Sequence, residues 1–430
     1  MFAASLAPWF ARRGVHYGWV MVALTFVTAM VGSGAIGVTG ILILPLSREF
    51  DWSRGEISGP IALMVALFGL MAPFAGALML RYGLRRVVVA SATLSVAGLG
   101  SAAGLMTELW QLWLSLGLLL GVAAGLTAVV LSATVANRWF VQRRGLVMGI
   151  LAAAMATGQL IFLPTNAWLV EAFGWRIALL PGIVGGTICA VLYVLLARDW
   201  PADIGIAPYG ETAIQRPPAL SAGNAVVLSL TVLREASGTR AFWMIAGTFF
   251  ICGLSTSGTV QPHFIPMCAD YGVTQVAAAS LLALMGVFNF IGTIASGWLS
   301  DRFDNRKLLA WFYGLRGLSL MLLPFSGFDM VSLSIWAVFF GLDFIATLPP
   351  TVKLAAQHFG APKAPIVFGW AFAAHQLGGA MAAFATGVSR DALGTYLPAF
   401  FLAGLSCFIA VLAVFTVRDI RRGAAPVAAA

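Results

Sequence analysis

Long apolar segments alternate with short polar segments along almost the whole chain. An α-helix needs about 20 mostly apolar residues to cross the hydrocarbon core of a bilayer. Twelve segments approach or exceed this length, at 18–46, 57–79, 87–106, 110–137, 146–170, 177–197, 241–267, 275–299, 308–325, 331–352, 365–389 and 394–417. The pattern predicts an all-α membrane protein with twelve transmembrane helices.

One long polar interval divides these segments into six and six. Four prolines interrupt it, namely Pro201, Pro208, Pro217 and Pro218. Prolines and charges in a short stretch are typical of connecting segments. We therefore predict an N-terminal six-helix bundle over 1–197, a linker over 198–240 with room for one short surface helix, and a C-terminal six-helix bundle over 241–430.

The composition indicates a surface that mostly faces lipid. Hydrophobic residues make up 60% of the 430 residues and charged residues only 10%, whereas a soluble domain carries about 25% charged residues. The net charge of +9 could indicate a nucleic-acid partner. Because the basic residues lie in short clusters between apolar segments, we expect the lipid bilayer as a partner and no nucleic acid.

The basic clusters also predict the orientation of the chain. If both termini are cytoplasmic, the cytoplasmic segments contain Arg12, Arg13, Arg81, Arg85, Arg86, Arg138, Arg143, Arg144, Arg198, Arg216, Arg234, Arg240, Arg302, Arg306, Lys307, Lys363, Arg418, Arg421 and Arg422. The outward loops then contain only Arg48, Arg54, Arg176 and Arg390. Because Lys and Arg concentrate in cytoplasmic loops, we expect a multi-pass inner-membrane protein with both termini in the cytoplasm.

Two loops at matching places in the two halves share a pattern. The sequence after the second segment is GALMLRYGLRR (76–86), and after the eighth it is GWLSDRFDNRK (297–307). Both contain G-x-L-x-x-R, which indicates a parallel duplication. They resemble the G-x-L-x-D-R-x-G-R-R loop of the major facilitator superfamily, although the first copy has Leu80 where the second keeps the acid as Asp301.

The resemblance to this superfamily covers nearly the whole chain. It implies the major facilitator fold, with two six-helix bundles that alternate access to a cavity near the membrane midplane. It also implies a gating role for the charged residues of the two loops, which are Asp301, Arg302, Arg81 and Arg85.

Two further motifs resemble the monocarboxylate-transporter-like branch of that superfamily. The sequence HYGW (16–19) is similar to its D-G-G-W-G-W stretch before the first helix, and WFVQRRGLVMG (139–149) resembles its Y-F-x-K-R-R-x-L-A-x-G motif. The resemblance implies a secondary active transporter for a small organic anion, most simply a monocarboxylate moved in symport with a proton.

Two ionisable residues lie deep inside predicted helices. Of 16 acidic residues only Asp343 does so, and of 25 basic residues only Arg316 does so. At 1.5 Å per residue, Asp343 lies about 15 Å and Arg316 about 12 Å from the cytoplasmic helix ends. We predict that they form a buried ion pair. The pair either joins the ninth helix to the tenth, or couples a proton to transport through Asp343 while Arg316 is released toward the anion.

Other polar residues lie at a similar depth. His375 in the eleventh segment and Asn289 in the eighth are each about 15 Å deep, and Thr293 follows Asn289 by one turn. Monocarboxylate transporters typically bind the substrate carboxylate with an arginine, but the matching position here is Thr293. Gln159 in the fifth segment and Thr28 in the first lie at a similar depth and would complete the wall of the cavity. The candidate substrate-binding residues are therefore Asn289, Thr293, Arg316, His375, Gln159 and Thr28.

Two adjacent prolines, Pro349 and Pro350, lie near the cytoplasmic end of the tenth segment. Neither has an N–H donor, so we expect the helix to bend there. The bend serves either as a cytoplasmic gate or as a static kink.

Two other functions remain open. An exporter of amphipathic compounds would suit a largely apolar cavity, and a transporter-like sensor would bind a solute without moving it.

Copper would suit His263 and Met267, although only two ligands are visible. Because the sequence contains neither a phosphate-binding G-x-x-x-x-G-K-[ST] motif nor a hydrolase pattern, we expect no enzyme activity, no cofactor and no resident metal.

Overall fold

The computed structural model describes residues 2–214 and 222–417. Within them, twelve helices are long and apolar enough to cross a membrane, as the sequence predicts, and we number them α1 to α12. They are Gly18–Phe50, Arg54–Gly76, Leu84–Leu105, Leu109–Trp139, Leu146–Phe173, Trp175–Leu196, Arg240–Asp270, Gln275–Arg302, Asn305–Phe325, Met330–Gly360, Lys363–Leu393 and Leu397–Thr416. Four residues of the topology prediction lie outside the described residues, namely Arg216, Arg418, Arg421 and Arg422.

The helices define two ends of the molecule. We call the end where α1 begins and α12 ends the termini end, and the other the opposite end. The connections α2–α3, α4–α5, α8–α9 and α10–α11 lie at the termini end, together with the linker between α6 and α7.

Polar caps place several helix starts a few residues before the predicted positions. The Ser53 hydroxyl accepts a hydrogen bond from the Glu56 amide, and the Glu56 carboxylate accepts one from the Ser53 amide. This reciprocal cap starts α2 at Arg54. Asp304 and Asp329 cap α9 and α10 with their carboxylates. Caps of this kind satisfy N–H groups that have no partner within the helix.

Two described helices lie outside the twelve. The linker contains the helix Ala222–Ser237, which contacts α11 through a hydrogen bond of 3.1 Å from the Trp370 indole to the Ser229 carbonyl. The N-terminal helix Phe2–Arg12 is not among the predicted elements, because its 11 residues fall short of a membrane span. The guanidinium of Arg13 stacks on the Trp9 ring of this helix at 3.7 Å.

Several spans are not continuous α-helices. Trp113–Leu119 in α4 and Leu254–Gly258 in α7 are π-helical. The α-helical hydrogen bonding of α10 is interrupted after Asp343 by turn residues 344–347 and resumes at Leu348. Interruptions of this kind at membrane depth are typical of transporter binding sites.

The break in α10 lies one turn before the bend that we predict at the two prolines. Since Pro349 and Pro350 have no N–H, the carbonyls of Ile345 and Ala346, four residues earlier, lose their helical donors. The proline rings also clash with those carbonyls. The α-helical hydrogen bonding is therefore interrupted at 344–347, and the prolines become the first residues of the next helical part, where they are well tolerated.

Small residues allow the two halves to approach closely. A Cβ atom at Gly40 of α1 would lie 3.0 Å from the Pro262 Cα of α7. A Cβ atom at Gly286 of α8 would lie 3.4 Å from the Gln159 side chain of α5. A Cβ atom at Gly69 of α2 would overlap the Gln376 side chain of α11. The interface between the halves is therefore built from α1, α2 and α5 against α7, α8 and α11.

Candidate functional site

A buried ion pair joins α9 to α10, as predicted. Arg316 Nε donates a hydrogen bond of 2.7 Å to Asp343 Oδ2, and the two side chains are 0% and 9% exposed. Among the described residues, the second carboxylate oxygen, Asp343 Oδ1, is buried and has no hydrogen-bond partner. A proton could therefore bind at Oδ1 without displacing the guanidinium from Oδ2.

Arg316 also supports the broken part of α10. Its Nη2 donates to the main-chain carbonyls of Asp343 at 2.6 Å and Phe344 at 3.2 Å. Backbone groups that leave a helix at membrane depth need partners from the protein or from water in a cavity. Arg316 therefore holds the Asp343 side chain and the interrupted part of α10 beside it at the same time.

The polar face of α8 completes this support. The Ser296 hydroxyl donates to the Ala346 carbonyl at 2.5 Å, and Asn289 Oδ1 accepts from the Ile345 amide at 3.1 Å. The Thr293 hydroxyl donates to the same Asn289 oxygen at 3.3 Å. These side chains satisfy backbone groups freed by the break, so this face of α8 binds α10 directly.

A thiol that the sequence analysis missed connects the ion pair to α7. Arg316 Nη1 donates to Cys252 Sγ at 2.9 Å, and the Thr347 hydroxyl lies 3.3 Å from the same sulfur. Cys252 thus joins Arg316 to Thr347, at the end of the break in α10. His375 of α11 lies next to this part of α7, and its Nδ1 is 2.9 Å from Gln376 Oε1.

Close packing of α7 against α11 brings His375 next to this part of α7. A Cβ atom at Gly253 would overlap the His375 carbonyl, and one at Gly258 would overlap the Gly379 carbonyl. Only glycine permits such an approach of two helix backbones.

A small pocket lies between the halves next to the broken part of α10. Its volume is about 20 Å³, which is room for one or two water molecules. Eight residues line it, namely Gly37, Gln159, Leu163, Gln261, Leu282, Met285, Gly286 and Phe344. Phe344 links the pocket to the ion pair, because its carbonyl accepts a hydrogen bond from Arg316.

The predicted substrate-binding residues fall into four places. Gln159 lines the pocket. Asn289, Thr293 and Arg316 lie at Asp343 and the break in α10, whereas His375 packs against Phe249 and Phe372. Thr28 lies elsewhere: it faces Cys189 and Tyr193 on α6, and its hydroxyl donates to the Leu24 carbonyl at 2.9 Å. The structure therefore does not bring Thr28 to the pocket.

The possible copper ligand His263 also has another partner. Its Nε2 lies 2.8 Å from the Ala383 carbonyl, and the side chain is fully buried between α7 and α11. Among the described residues, no group of three or more His, Cys, Asp or Glu side chains is arranged to hold a metal ion.

Charged residues join the two halves at the opposite end, in a cluster that we call the opposite-end latch. Arg54 at the start of α2 donates two hydrogen bonds to Asp270 of α7, at 2.7 and 2.9 Å, and one to the Tyr396 hydroxyl at 3.0 Å. Arg390 donates to Asp270 at 2.8 Å, and Asp391 accepts from the Arg54 amide at 3.0 Å. Bidentate arginine–carboxylate pairs are among the stronger polar contacts, so the halves are held together at this end.

The gating-loop residues of the C-terminal half form contacts within that half. Asp301 pairs with Lys353 of α10, and the Arg302 guanidinium stacks on the Trp298 ring at 3.9 Å. The end of α8 is thereby tied to the part of α10 that follows the break.

The matching loop of the N-terminal half uses an acid from another place. The first copy has Leu80 instead of the expected Asp, but Asp199, just after α6, accepts a hydrogen bond of 2.8 Å from the Arg85 amide at the start of α3. Arg138 donates to the Asp199 carbonyl at 3.3 Å. The Arg81 guanidinium lies 5.2 Å from the Tyr82 ring. Asp199 therefore supplies a carboxylate to this loop.

The two motifs that resemble monocarboxylate transporters contact each other through the linker. His16 Nε2 lies 3.0 Å from the Ala207 carbonyl, and the ring of Tyr209 lies 5.5 Å from His16 and 5.6 Å from Phe140. Trp19 packs edge-on against Phe140 at 5.2 Å. The first residues of the linker thus lie between the two motifs at the termini end.

The family model described as Major Facilitator Superfamily matches residues 21–383 and 267–429. The chain belongs to the Major Facilitator Superfamily. Its membership makes it a multi-pass membrane transporter rather than an enzyme.

Several curated members of the Major Facilitator Superfamily are similar over most of their length. Monocarboxylate transporter 13 of Rattus norvegicus is 27% identical over 395 residues, which cover 90% of this chain and 86% of that protein. Monocarboxylate transporter 11 of Homo sapiens is 28% identical over 404 residues, covering 90% and 80%. The MFS-type transporter YcxA of Bacillus subtilis is 24% identical over 406 residues, covering 90% and 91%.

A solved transporter structure has the same fold. The xylose transporter XylE of E. coli, in a partially occluded inward-open conformation, matches with a TM-score of 0.70 and covers 95% of this chain and 100% of its own. At 13% sequence identity the match concerns the fold alone. It confirms the predicted fold of two six-helix bundles.

Proposed function

We propose that this transporter moves a small organic anion, most simply a monocarboxylate, together with a proton. The observation that carries the proposal is the Arg316–Asp343 pair, buried beside a broken helix and next to the pocket between the halves. An intramembrane ion pair of this kind is typical of proton-coupled transport. The similarity to transporters named for monocarboxylates supports the class of solute.

Charge balance gives the coupling. With no ligand bound, Arg316 and Asp343 cancel each other, and the buried site is neutral. A proton on Asp343 Oδ1, the oxygen without a partner, leaves the positive charge of Arg316 uncompensated. An organic anion restores neutrality when it enters the adjacent pocket, which has to widen beyond its present volume of about 20 Å³ to admit the anion. Because an uncompensated charge in a dehydrated site is strongly disfavoured, the states that carry only one of the two ligands are poorly populated.

The break in α10 transmits the change in charge to the pocket. Arg316 contacts the side chain of Asp343 and the carbonyl of Phe344, and Phe344 lines the pocket. Any movement of the guanidinium on protonation of Asp343 therefore changes the support of a residue that borders the solute. The polar groups of Asn289 and Thr293 lie at this break.

We further propose that the halves alternate access to the pocket in a bacterial inner membrane, with both termini in the cytoplasm. The concentration of Lys and Arg at the termini end supports this orientation. In this orientation the opposite-end latch closes the outward side of the transporter, and Arg54 must leave Asp270 before the outward state can form.

Replacement of Asp343 by Asn tests the coupling. Asn keeps the shape of the side chain but cannot bind and release a proton, so a pH gradient should no longer drive uptake into proteoliposomes, while solute exchange without net proton movement continues. Asp329→Asn, on an exposed cap of α10, is the matched control and should behave like the unmodified protein. Proton-driven uptake that persists in Asp343→Asn would remove Asp343 from the coupling mechanism.

One observation favours a second candidate, an exporter of amphipathic compounds. None of the eight residues that line the pocket in the described part of the chain is ionisable, and most are apolar or glycine. Counterflow in proteoliposomes separates the two functions: lactate or pyruvate should accelerate exchange if the solute is an organic anion, and a hydrophobic drug should do so in the other case. Binding of either compound without any flux would instead indicate a sensor.

A further inference from the structure

Gln261 reaches the pocket because of the π-helical segment in α7. Each residue of an α-helix turns the chain by about 100°, so the wider turn of Leu254–Gly258 changes the face that the following residues present. Pro262, the next residue, packs against Gly40 of α1, where a Cβ atom would lie 3.0 Å from the proline Cα. Gln261 is thereby held at the interface between the halves, next to the space enclosed by α1, α5, α7, α8 and α10.

Two amide side chains face this space from opposite halves. Gln159 comes from α5 of the N-terminal half and Gln261 from α7 of the C-terminal half. The other side chains of the lining are apolar, namely Leu163, Leu282, Met285 and Phe344. No hydrogen bond joins either amide to another group in the described part of the chain. Both side chains are half-buried, so their free amide groups are open to water or to a solute that enters the pocket.

Arg316 is not placed to supply that contact itself. Its Nε is bonded to Asp343, its Nη1 to Cys252 and its Nη2 to two main-chain carbonyls, and its side chain is 0% exposed. Its charge acts on the pocket through the surrounding protein, whereas the direct hydrogen bonds available to a solute come from the two amides.

We propose that Gln159 and Gln261 form a two-amide clamp that binds the polar end of the transported solute and determines specificity in place of an arginine. The inference rests on the proposed transport of a small organic acid and identifies the groups that touch it. An amide both donates and accepts hydrogen bonds, so each of the two oxygens of a carboxylate can accept an N–H from one half of the protein. A ligand held in this way connects the halves.

The clamp predicts a selectivity that an arginine would not give. A guanidinium binds a carboxylate through charge-assisted hydrogen bonds and strongly prefers the anion over a neutral analogue. Two neutral amides make similar hydrogen bonds to an acid and to its primary amide. The site should therefore accept short monocarboxylic acids and their neutral amides with affinities that differ by roughly tenfold or less.

Ligand binding to the purified transporter tests the clamp. Thermal stabilisation is titrated with acetate, propionate, lactate and pyruvate, and with acetamide, propionamide and lactamide, because a ligand that binds the folded state raises its stability. The variants are Gln159→Leu and Gln261→Leu, which keep the side-chain size. Gln275→Leu, at the start of α8 and outside the pocket, is the matched control. The ligand-free unfolding midpoint of each variant shows that it folds.

The expected result is a rise in Kd of roughly tenfold to a hundredfold in each pocket variant, for acids and amides alike, with no change in Gln275→Leu. Unchanged Kd values in both pocket variants would overturn the clamp while leaving organic-acid transport in place. Binding of the acids at alkaline pH with a preference of more than a hundredfold over their amides would also overturn it, because ionised Asp343 then cancels the charge of Arg316 and the preference requires a further cation in contact with the solute. If no acid binds the unmodified protein, the proposed function fails, and the clamp fails with it.

Discussion

Replacing Arg316 by Ala should destabilise the transporter more than any exposed arginine replacement. The side chain makes four hydrogen bonds, of 2.6 to 3.2 Å, to Asp343 Oδ2, Cys252 Sγ and the carbonyls of residues 343 and 344. Among the described residues, its removal leaves the Asp343 carboxylate buried without a hydrogen-bond partner, and it leaves the interrupted part of α10 without its α9 donors.

The magnitude follows from the burial of the pair. Breaking a buried ion pair by removing one partner costs about 3–5 kcal/mol, mostly because the remaining charge is stranded. If this explanation is correct, neutralising the second charge should restore part of the loss. We expect the double variant Arg316→Ala/Asp343→Asn to recover roughly 1–3 kcal/mol relative to Arg316→Ala alone.

Equilibrium unfolding in detergent micelles measures these differences. Tryptophan fluorescence reports the transition, since the chain contains 14 tryptophans. Arg234→Ala, on the exposed face of the linker helix, is the matched control and should shift the free energy of unfolding by no more than about 0.5 kcal/mol.

Two results would refute this explanation. A double variant no more stable than Arg316→Ala would show that the two charges do not stabilise each other. A single variant that loses no more stability than Arg234→Ala would show that the site is hydrated and that burial does not determine the energy of the pair.

Two further predictions concern the ends of the molecule. Arg54→Ala removes the bidentate contact with Asp270 and should favour the outward-open state. Ser58 is 0% exposed here, so maleimide should label Ser58→Cys faster when Arg54 is replaced by Ala than when Arg54 is present. Equal labelling rates would exclude a gating role for the latch. Asp199→Ala removes the acceptor of the Arg85 amide and should lower the free energy of unfolding by about 0.5–2 kcal/mol, the range for loss of a helix cap. An unchanged unfolding transition would show that the α3 start does not depend on this carboxylate.

The membrane helices and the ion pair could be predicted because each has a strong physical cause. A segment of about 20 apolar residues has few alternatives to a membrane span, and the observed helices begin and end within a few residues of the predicted ones, apart from α10, which continues to Gly360. Asp343 and Arg316 stand out because ionised groups are rarely tolerated in hydrocarbon without a partner. Their pairing at 2.7 Å confirms that expectation.

Other parts of the site have no comparable signal in the sequence. In the sequence, Cys252 cannot be distinguished from the other small apolar residues of α7. Its contact with Arg316 depends on how α7, α9 and α11 pack. Gln261 reads as an isolated polar residue, because its direction depends on the π-helical segment before it. The helix break at 344–347 follows from the prolines only when the carbonyls four residues earlier are considered.

The sequence also did not predict contacts in which a carboxylate distant in sequence caps the start of a helix. The carboxylate of Asp199 serves the loop after α2, more than a hundred residues earlier in the chain, and Asp391 caps the start of α2 from α11. Thr28 shows the reverse case. Depth alone suggested that it borders the pocket, but the rotation of α1 about its axis turns it toward α6.

The packing of Tyr209 between His16 and Phe140 fixes the first part of the linker to the N-terminal half. Its main chain also accepts hydrogen bonds from the amides of Val141 and Gln142, so this residue moves with the N-terminal half. In the proposed alternation of the halves, residues 198–209 therefore belong to the N-terminal half rather than to the connection between the halves. A reporter domain intended to follow that motion would have to be inserted beyond Tyr209, since an earlier insertion would separate an aromatic residue from the two motifs that it joins.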